Sequence, residues 1–328
     1  PNPDEPSKEE ILKELQKTML ENTLAMQQKN KDTIGWLYID GTTVNDVVVK
    51  VNYNDDNKYY LRRNANGEND NDGCYYADFR CTSGNRSTIS KNTVIYGHNM
   101  GDGTMFGYLQ AYKKLSYYQQ HPLISYNSVY RKDMYKIFAV VVCKADDPDF
   151  DYHNFIDSDS DAAKNEYIEK IMKRSIIKTT VDVKASDRLL TLSTCDYTFR
   201  DPDTNKLIAR LVIFGRALRD GESEAVNVNA ATLNPNPLMP KQWYEYIKKQ
   251  QEKKAAEELE KEQKKSAGKD TPQDKNKDKK KKDDKKDSNA DEKDDQPKDI
   301  VVELKGIEDR VVRLTPNSSD MGSTIISK

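Results

Sequence analysis

The sequence predicts a mainly β fold, a barrel or sandwich with helical additions, followed by a charged tail that builds no core. Three observations point there. Short runs of β-branched and aromatic residues recur between clusters of Asn, Asp and Gly. Two stretches of helical periodicity interrupt them, at residues 7–29 and 157–178. Charge is concentrated toward one end of the chain.

Residues 7–29 set Ile11, Leu12, Leu15, Met19 and Leu20 at helical spacing, with Ser7 and Glu10 as a capping box, which predicts an amphipathic helix packed on the next domain. Beyond Asp32 the period changes. Trp36 to Ile39 and Val47 to Val51 read as strands on either side of the Asp40-Gly41 turn. Further strands are predicted over 73–79, 93–96, 134–143, 189–193 and 207–216. Between two of them, residues 157–178 open with capping Asp and Ser and place Tyr167, Ile168, Ile171 and Met172 on one helical face.

Residues 221–240, with Pro235, Pro237 and Pro240, read as a linker. Pro240 suits the first turn of a helix from Lys241, whose Trp243, Tyr244, Tyr246 and Ile247 are expected to dock on the barrel in preference to a membrane surface. From Lys249 to Asp299, 33 of 51 residues are charged and five are hydrophobic. Such a stretch cannot bury enough apolar area to offset its ordering entropy, and disorder is expected, or a frayed helix near 250–265. Runs at 300–304 and 310–314 resemble strands but are too little for a stable domain. The expected divisions are thus 1–30, a helical segment; 31–220, the β domain; 221–299, a Pro-containing and then charged linker; and 300–328, a fragment without an assigned role.

Composition excludes several functions. The 328 residues carry 53 basic and 55 acidic side chains, so the chain is no basic nucleic-acid binder. No run approaches the ~18 apolar residues that span a bilayer. The first residue is Pro, not Met, which suggests that a signal or membrane anchor has been cut away. The four cysteines, at 74, 81, 143 and 195, form no CxxC pair and no zinc-type cluster with the three histidines. The Asp and Glu residues of the charged tail lack the spacing of a calcium loop. No metal and no cofactor is called for. Cys74 and Cys81 are near enough in sequence for a strained local bridge, the less favoured state, and Cys143 lies in an apolar run as a buried hydrophobe.

Three segments carry chemistry. Asn92 to Met100 puts His98 just past a strand, before the flexible Gly101-Asp102-Gly103. Leu189 to Asp196 puts Cys195 at the end of an alternating strand, with Thr191 and Ser193 on its face and Leu190 and Leu192 on the opposite, core-facing side. Lys206 to Gly215 holds Arg210 inside an otherwise apolar strand, where a charge must be paired or used unless the strand is an edge from which it snorkels to water. Only a few per cent of a free thiol is ionised at neutral pH. An imidazole can take its proton or stabilise the thiolate, then protonate a departing amine. A guanidinium can offset the oxyanion formed when sulfur attacks an amide, or hold the peptide in place.

These residues resemble a known family. Tyr96-Gly97-His98-Asn99-Met100 with Gly103-Thr104-Met105-Phe106, then Thr191 to Cys195, then the Arg leading into Leu211 to Arg216, are similar to the sortases, class B in particular. The likeness runs from Trp36 to Leu218 and takes in Trp36 to Thr42, Asn57 to Leu61 and His121-Pro122. It implies a closed β-barrel of about eight strands, with N-terminal helices and a long helix before the catalytic-Cys strand. It also implies a membrane-anchored cysteine transpeptidase on the extracellular face of a Gram-positive-type bacterium. Its partners would be sorting-signal peptides (NPxTx-like or LPxTG-like) and an amine of the cell-wall peptidoglycan precursor, with no nucleic acid. By position, Cys195 would be the nucleophile, His98 the general acid/base and Arg210 the oxyanion or positioning group. Thr194, Asp196, Tyr197 and Asn99 are candidates for substrate binding, and Asp196 is as readily a solvated loop acid.

Two departures stand out. The 195–210 interval is longer than the family's, making Arg200 a rival for Arg210, and Cys74 stands where the family tends to have Ser. Arg210 is preferred because it opens the apolar strand. The alternatives are a non-catalytic peptide-binding surface module and a sortase that polymerises pilins. Residues 300–328 bear a fainter likeness to the start of a propeller segment of tricorn-like peptidases, on which no function is placed.

Overall fold

Local chemistry sets the first hairpin of the computed structural model, which describes residues 8–52, 57–83, 88–158 and 160–267. β1 (Thr33–Tyr38) and β2 (Asn45–Val49) pair antiparallel. At the turn, Gly41 takes φ +70° and Ile39 N donates to Val44 O at 2.9 Å. The remaining strands are β3 (Tyr75–Ala77), β4 (Asn92–Tyr96), β5 (Leu123–Ser128), which the short helix α2 (Leu115–Gln120) precedes, β6 (Lys132–Lys144), β7 (Ile177–Lys178), β8 (Leu189–Cys195), β9 (Ala209–Ala217) and β10 (Thr232–Leu233). Eight of them close a barrel in the order β1-β2-β3-β4-β8-β9-β6-β5, with β2–β3 and β4–β8 parallel and the other pairs antiparallel. The closed barrel of about eight strands expected from the resemblance is present, and its pairing is mixed.

Alternation fills it. Leu37, Val48, Ile95, Ile137, Leu190, Leu192, Leu211 and Ile213 belong to one buried cluster. A second cluster joins α3 (Asp161–Arg174) to residues of β6, β8 and β9, where Cys143 packs with Phe138, Phe150, Tyr167 and Phe214. Helix α3 is shorter than the predicted 157–178 because Ser160 caps it, accepting from Ala163 N at 3.2 Å. Tyr167, Ile168 and Ile171 are buried as expected, but Met172 is 38% exposed. The buried face runs through 164, 167, 168, 171 and 174, which leaves 172 on its shoulder.

β5 carries no strand signal in the sequence reading. Ser and Asn make up half of it, yet Ser125, Asn127 and Ser128 are buried. α1 (Lys8–Lys29) packs against β1 and β5, burying Met19 and Thr23, and Asn127 donates to Met19 Sδ at 3.3 Å. Ser7 of the capping box lies outside the described residues, as do the side chains of Ile11 and Leu12.

The segment 221–240 differs from a free linker. β10 pairs with β7, Asn234 Nδ2 donates to Ser175 O at 2.7 Å, and Leu238 N donates to Lys173 O at 2.9 Å. Val228, Met239, Trp243 and Tyr246 pack against the barrel's buried cluster, so those two aromatics dock as favoured, while Tyr244 is exposed. Backbone pairing, to which sequence polarity is indifferent, holds this strap in place. The chain divides into two units at Tyr246/Ile247, a boundary that falls inside α4 (Lys241–Ala267). The expected tail disorder beyond 267 and the strand-like runs at 300–314 lie outside the described residues. Among the described residues no helix is long and apolar enough to cross a membrane.

Candidate active site

Parallel pairing of β4 with β8 brings the histidine to the cysteine. The register sets Tyr96 opposite Ser193, so the two chains leave the barrel side by side. Beyond it, Gly97 N donates to Ser193 O at 3.3 Å and Thr194 Oγ1 donates to Gly97 O at 2.7 Å. Asn99 Nδ2 donates to Cys195 O at 2.9 Å. His98 is thus bracketed by bonds from its two neighbours to residues 193–195. The antiparallel β8–β9 register puts Arg210 directly opposite Cys195, and β9 runs between β6 and β8. It is no edge strand, so a snorkelling edge arginine does not describe it.

Cys195, His98 and Arg210 are each half-buried and line one groove of about 340 Å³. Its other walls include Asn57, Leu61, Tyr96, Tyr152, His153, Ser193 and Thr194. The other three cysteines are free and buried, and burial pushes their thiols up, Cys81 to about 12. Cys195 alone of the four reaches the groove.

Leu61 O lies 2.7 Å from His98 Nε2. A carbonyl can only accept, so Nε2 carries the hydrogen and Nδ1 is the basic nitrogen of the neutral ring. Gly73 lies against the same pair. With φ +64° it brings its backbone so near that an added Cβ would stand 3.0 Å from Leu61 O and 3.3 Å from His98 Cδ2. Gly97, too, is hemmed in by Phe106, which stacks on Tyr75 with centroids 4.6 Å apart.

A 3-10 helix at Gly107–Lys113 holds the cysteine end of β8. Its Gln110 Nε2 donates to Cys195 O at 3.1 Å, joining Asn99 on that carbonyl. Lys113 forms an ion pair with buried Asp196 and donates to Thr198 Oγ1 at 2.9 Å. Asp196 Oδ2 meets Lys113 as a charge and not through an aligned hydrogen bond, and Oδ1 accepts from Thr198 N at 2.7 Å. Asp196 is therefore engaged with the loop after the cysteine, and does not line the groove.

Of the remaining candidates, Thr194 lines the groove. Asn99 and Tyr197 are outside its lining, Asn99 bonded to Cys195 O and Tyr197 58% exposed. The rival Arg200 donates to Asn205 O at 3.2 Å and is also outside the lining. Gln110, Lys113, Tyr152 and His153 gave no sign in the sequence, and Leu61 acts through its carbonyl, which side-chain identity does not encode. Among the described residues no three His, Cys, Asp or Glu side chains gather as a metal would need. A thiol, an imidazole with a fixed tautomer and a guanidinium facing one groove have the parts for acyl transfer through a thioester.

A sortase-domain family model matches residues 37–217. Sortase B of Staphylococcus aureus is 29% identical over 191 residues, 58% of this chain and 73% of that protein. Sortase B of Listeria monocytogenes is 33% identical over 183 residues, 56% of this chain and 70% of that protein. Among solved structures, sortase B from Bacillus anthracis in complex with AAEK1 matches with TM-score 0.50 and 31% identity, over 60% of this chain and 83% of that one. The Staphylococcus aureus sortase B–substrate complex matches with TM-score 0.53 and 26% identity, over 64% of this chain and 94% of that one.

Proposed function

The chain belongs to the class B sortases, cysteine transpeptidases that anchor surface proteins, and on that premise we propose that it cleaves a sorting peptide of NPxTx or LPxTG pattern after Thr and passes the acyl group to a cell-wall amine. The observation that carries this reading is the groove that the half-buried Cys195 lines together with His98 and Arg210.

In this reading Cys195 Sγ attacks the Thr carbonyl after its proton passes to His98 Nδ1. The C=O π pair moves onto oxygen, and Arg210 offsets that charge; one of its N–H groups is used on Ala209 O at 2.9 Å, leaving others of its five for substrate. When the oxyanion collapses the C–N bond breaks, and the leaving amine takes the proton from His98. The thioester remains. An incoming amine attacks it, His98 removes the amine's extra proton, and the new amide forms as the thiolate leaves and is reprotonated. Leu61 O stabilises the imidazolium while this happens, because Nε2–H stays directed at it.

The catalytic unit is residues 31–220, with α1 (Lys8–Lys29) against it and the charged stretch as a spacer at the cell surface. A second reading, peptide binding without chemistry, uses the same groove but leaves the thiol idle.

The test incubates the protein with peptides of both patterns, with triglycine or hydroxylamine as acceptor. Mass spectrometry should find an acyl adduct on Cys195 and transfer to the amine, both lost in Cys195→Ala. Transfer that continues undiminished in Cys195→Ala overturns the assignment.

A further inference from the structure

Three of the groove's lining residues, Asn57, Tyr96 and His153, come from separate stretches of chain and converge on one ion pair that does not itself line the groove. Asp78, just after β3, is fully buried. Its Oδ2 accepts from Asn57 Nδ2 and from Tyr96 OH, both at 2.8 Å. Arg80 grips the same carboxylate with two prongs, Nε to Oδ1 and Nη2 to Oδ2, each at 2.7 Å. The guanidinium then reaches the far side. Nη2 also donates to His153 O at 2.9 Å, and Nη1 donates to Asn154 Oδ1. Asn57 is fixed twice, since its Oδ1 accepts from Phe79 N at 2.8 Å while its own backbone sits at φ +64°.

We propose that the Asp78–Arg80 pair is a positioning device for the peptide groove, setting the separation between its Asn57/Tyr96 wall and its His153 wall and thereby its fit to the sorting peptide. The proposal rests on the groove being the peptide site. A planar, bidentate guanidinium is suited to this because its donors point in fixed directions, toward the Asp78 carboxylate that holds one wall and toward His153 O on the other, which a lysine ammonium cannot reproduce. Neither residue contacts the reacting atoms, so the effect belongs to substrate fit and not to the thiol.

The test separates fit from chemistry and from folding. Peptides of NPxTx and LPxTG pattern are titrated against Cys195→Ala and against Cys195→Ala/Arg80→Ala, and KM and kcat are measured for the chain with Cys195 intact, with and without Arg80→Ala or Arg80→Lys. Losing the charge-assisted bonds to Asp78 and to His153 O should raise Kd and KM about tenfold or more for Arg80→Ala, and less for Arg80→Lys, which keeps the charge but not the fork. The rate of Cys195 alkylation by iodoacetamide, which needs no peptide, should change by less than about threefold, as should kcat. If Arg80→Ala does not fold, the exposed Asn154→Ala, which removes the bond from Arg80 to the residue next to His153, should still raise KM a few-fold. Unchanged KM and Kd in the folded variants overturn the proposal, as does a parallel fall of kcat and alkylation with KM constant. Binding without turnover would sink the transpeptidase reading and leave the pair standing; turnover with an unaltered KM would sink the pair alone.

Discussion

Gly73→Ala tests how tightly the histidine is braced. The native residue sits at φ +64°, in the left-handed region, where a Cβ adds about 1–2 kcal/mol of strain. The added carbon would stand 3.0 Å from Leu61 O, 3.1 Å from Tyr60 O and 3.3 Å from His98 Cδ2. Each contact must open by a few tenths of an ångström, and two of the three bear on the Leu61–His98 hydrogen bond. Together these effects should lower stability by roughly 1–3 kcal/mol, or about 3–10 °C in melting temperature for a unit of this size. Misplacement by ~1 Å can cost a hundredfold in rate, so a shift of a few tenths should lower kcat/KM by about 5–10-fold. The assay pairs peptide-cleavage kinetics with thermal denaturation. Gly101→Ala is the control, since Gly101 is in the loop after His98 with nothing within 4 Å of an added Cβ. Gly73→Ala that cleaves as fast as the native chain, or Gly101→Ala that is equally impaired, would refute the bracing argument.

Other expectations follow from the same geometry. Removing both carboxamides from Cys195 O, in Asn99→Ala/Gln110→Ala, loses two neutral hydrogen bonds of ~1 kcal/mol each and should lower kcat about 5–10-fold with a smaller change in KM; native kcat in the folded double variant would show that the clamp does not hold the nucleophile. In the native chain iodoacetamide should label Cys195 alone, with Cys74, Cys81 and Cys143 labelled only after denaturation, and peptide mapping that finds Cys143 modified at a similar rate would contradict the burial described. Hydrogen bonds from Arg216, with help from Arg219 N and Lys136, hold the Glu222 carboxyl well below its usual 4.5, despite partial burial. A depressed carboxyl contributes stability above its unfolded value and loses it as pH falls toward the folded one. Glu222→Gln should therefore lower stability by on the order of 1–3 kcal/mol at pH 7, less than for a fully buried pair because Glu222 is partly exposed, and the gap from the native chain should narrow below about pH 4 in melting curves. A gap that is constant from pH 7 to pH 3 would exclude that linkage.

The amino-acid order alone determined those features whose cause is local. Alternation marked β8 and the side of it that faces the core, the turn chemistry of Asp40-Gly41 marked the first hairpin, and cap residues with a helical stripe marked α3. His98, Cys195 and Arg210 were legible because each breaks the pattern of the run it stands in, and together they match a family. The tertiary structure alone decided what those residues touch. It set Arg210, and not Arg200, opposite Cys195 through the β8–β9 register, put Asn99 on Cys195 O and not in the groove lining, and brought in Gln110 and the Leu61 carbonyl. It also buried the polar strand β5 beside α1 and docked the strap after residue 221. The division has one physical reason. Periodicity, capping and turn propensity act over a few neighbours, whereas a bond between residues 85 or 96 positions apart is set by which strands lie side by side. A backbone carbonyl that fixes a tautomer has no side-chain identity through which a sequence could announce it.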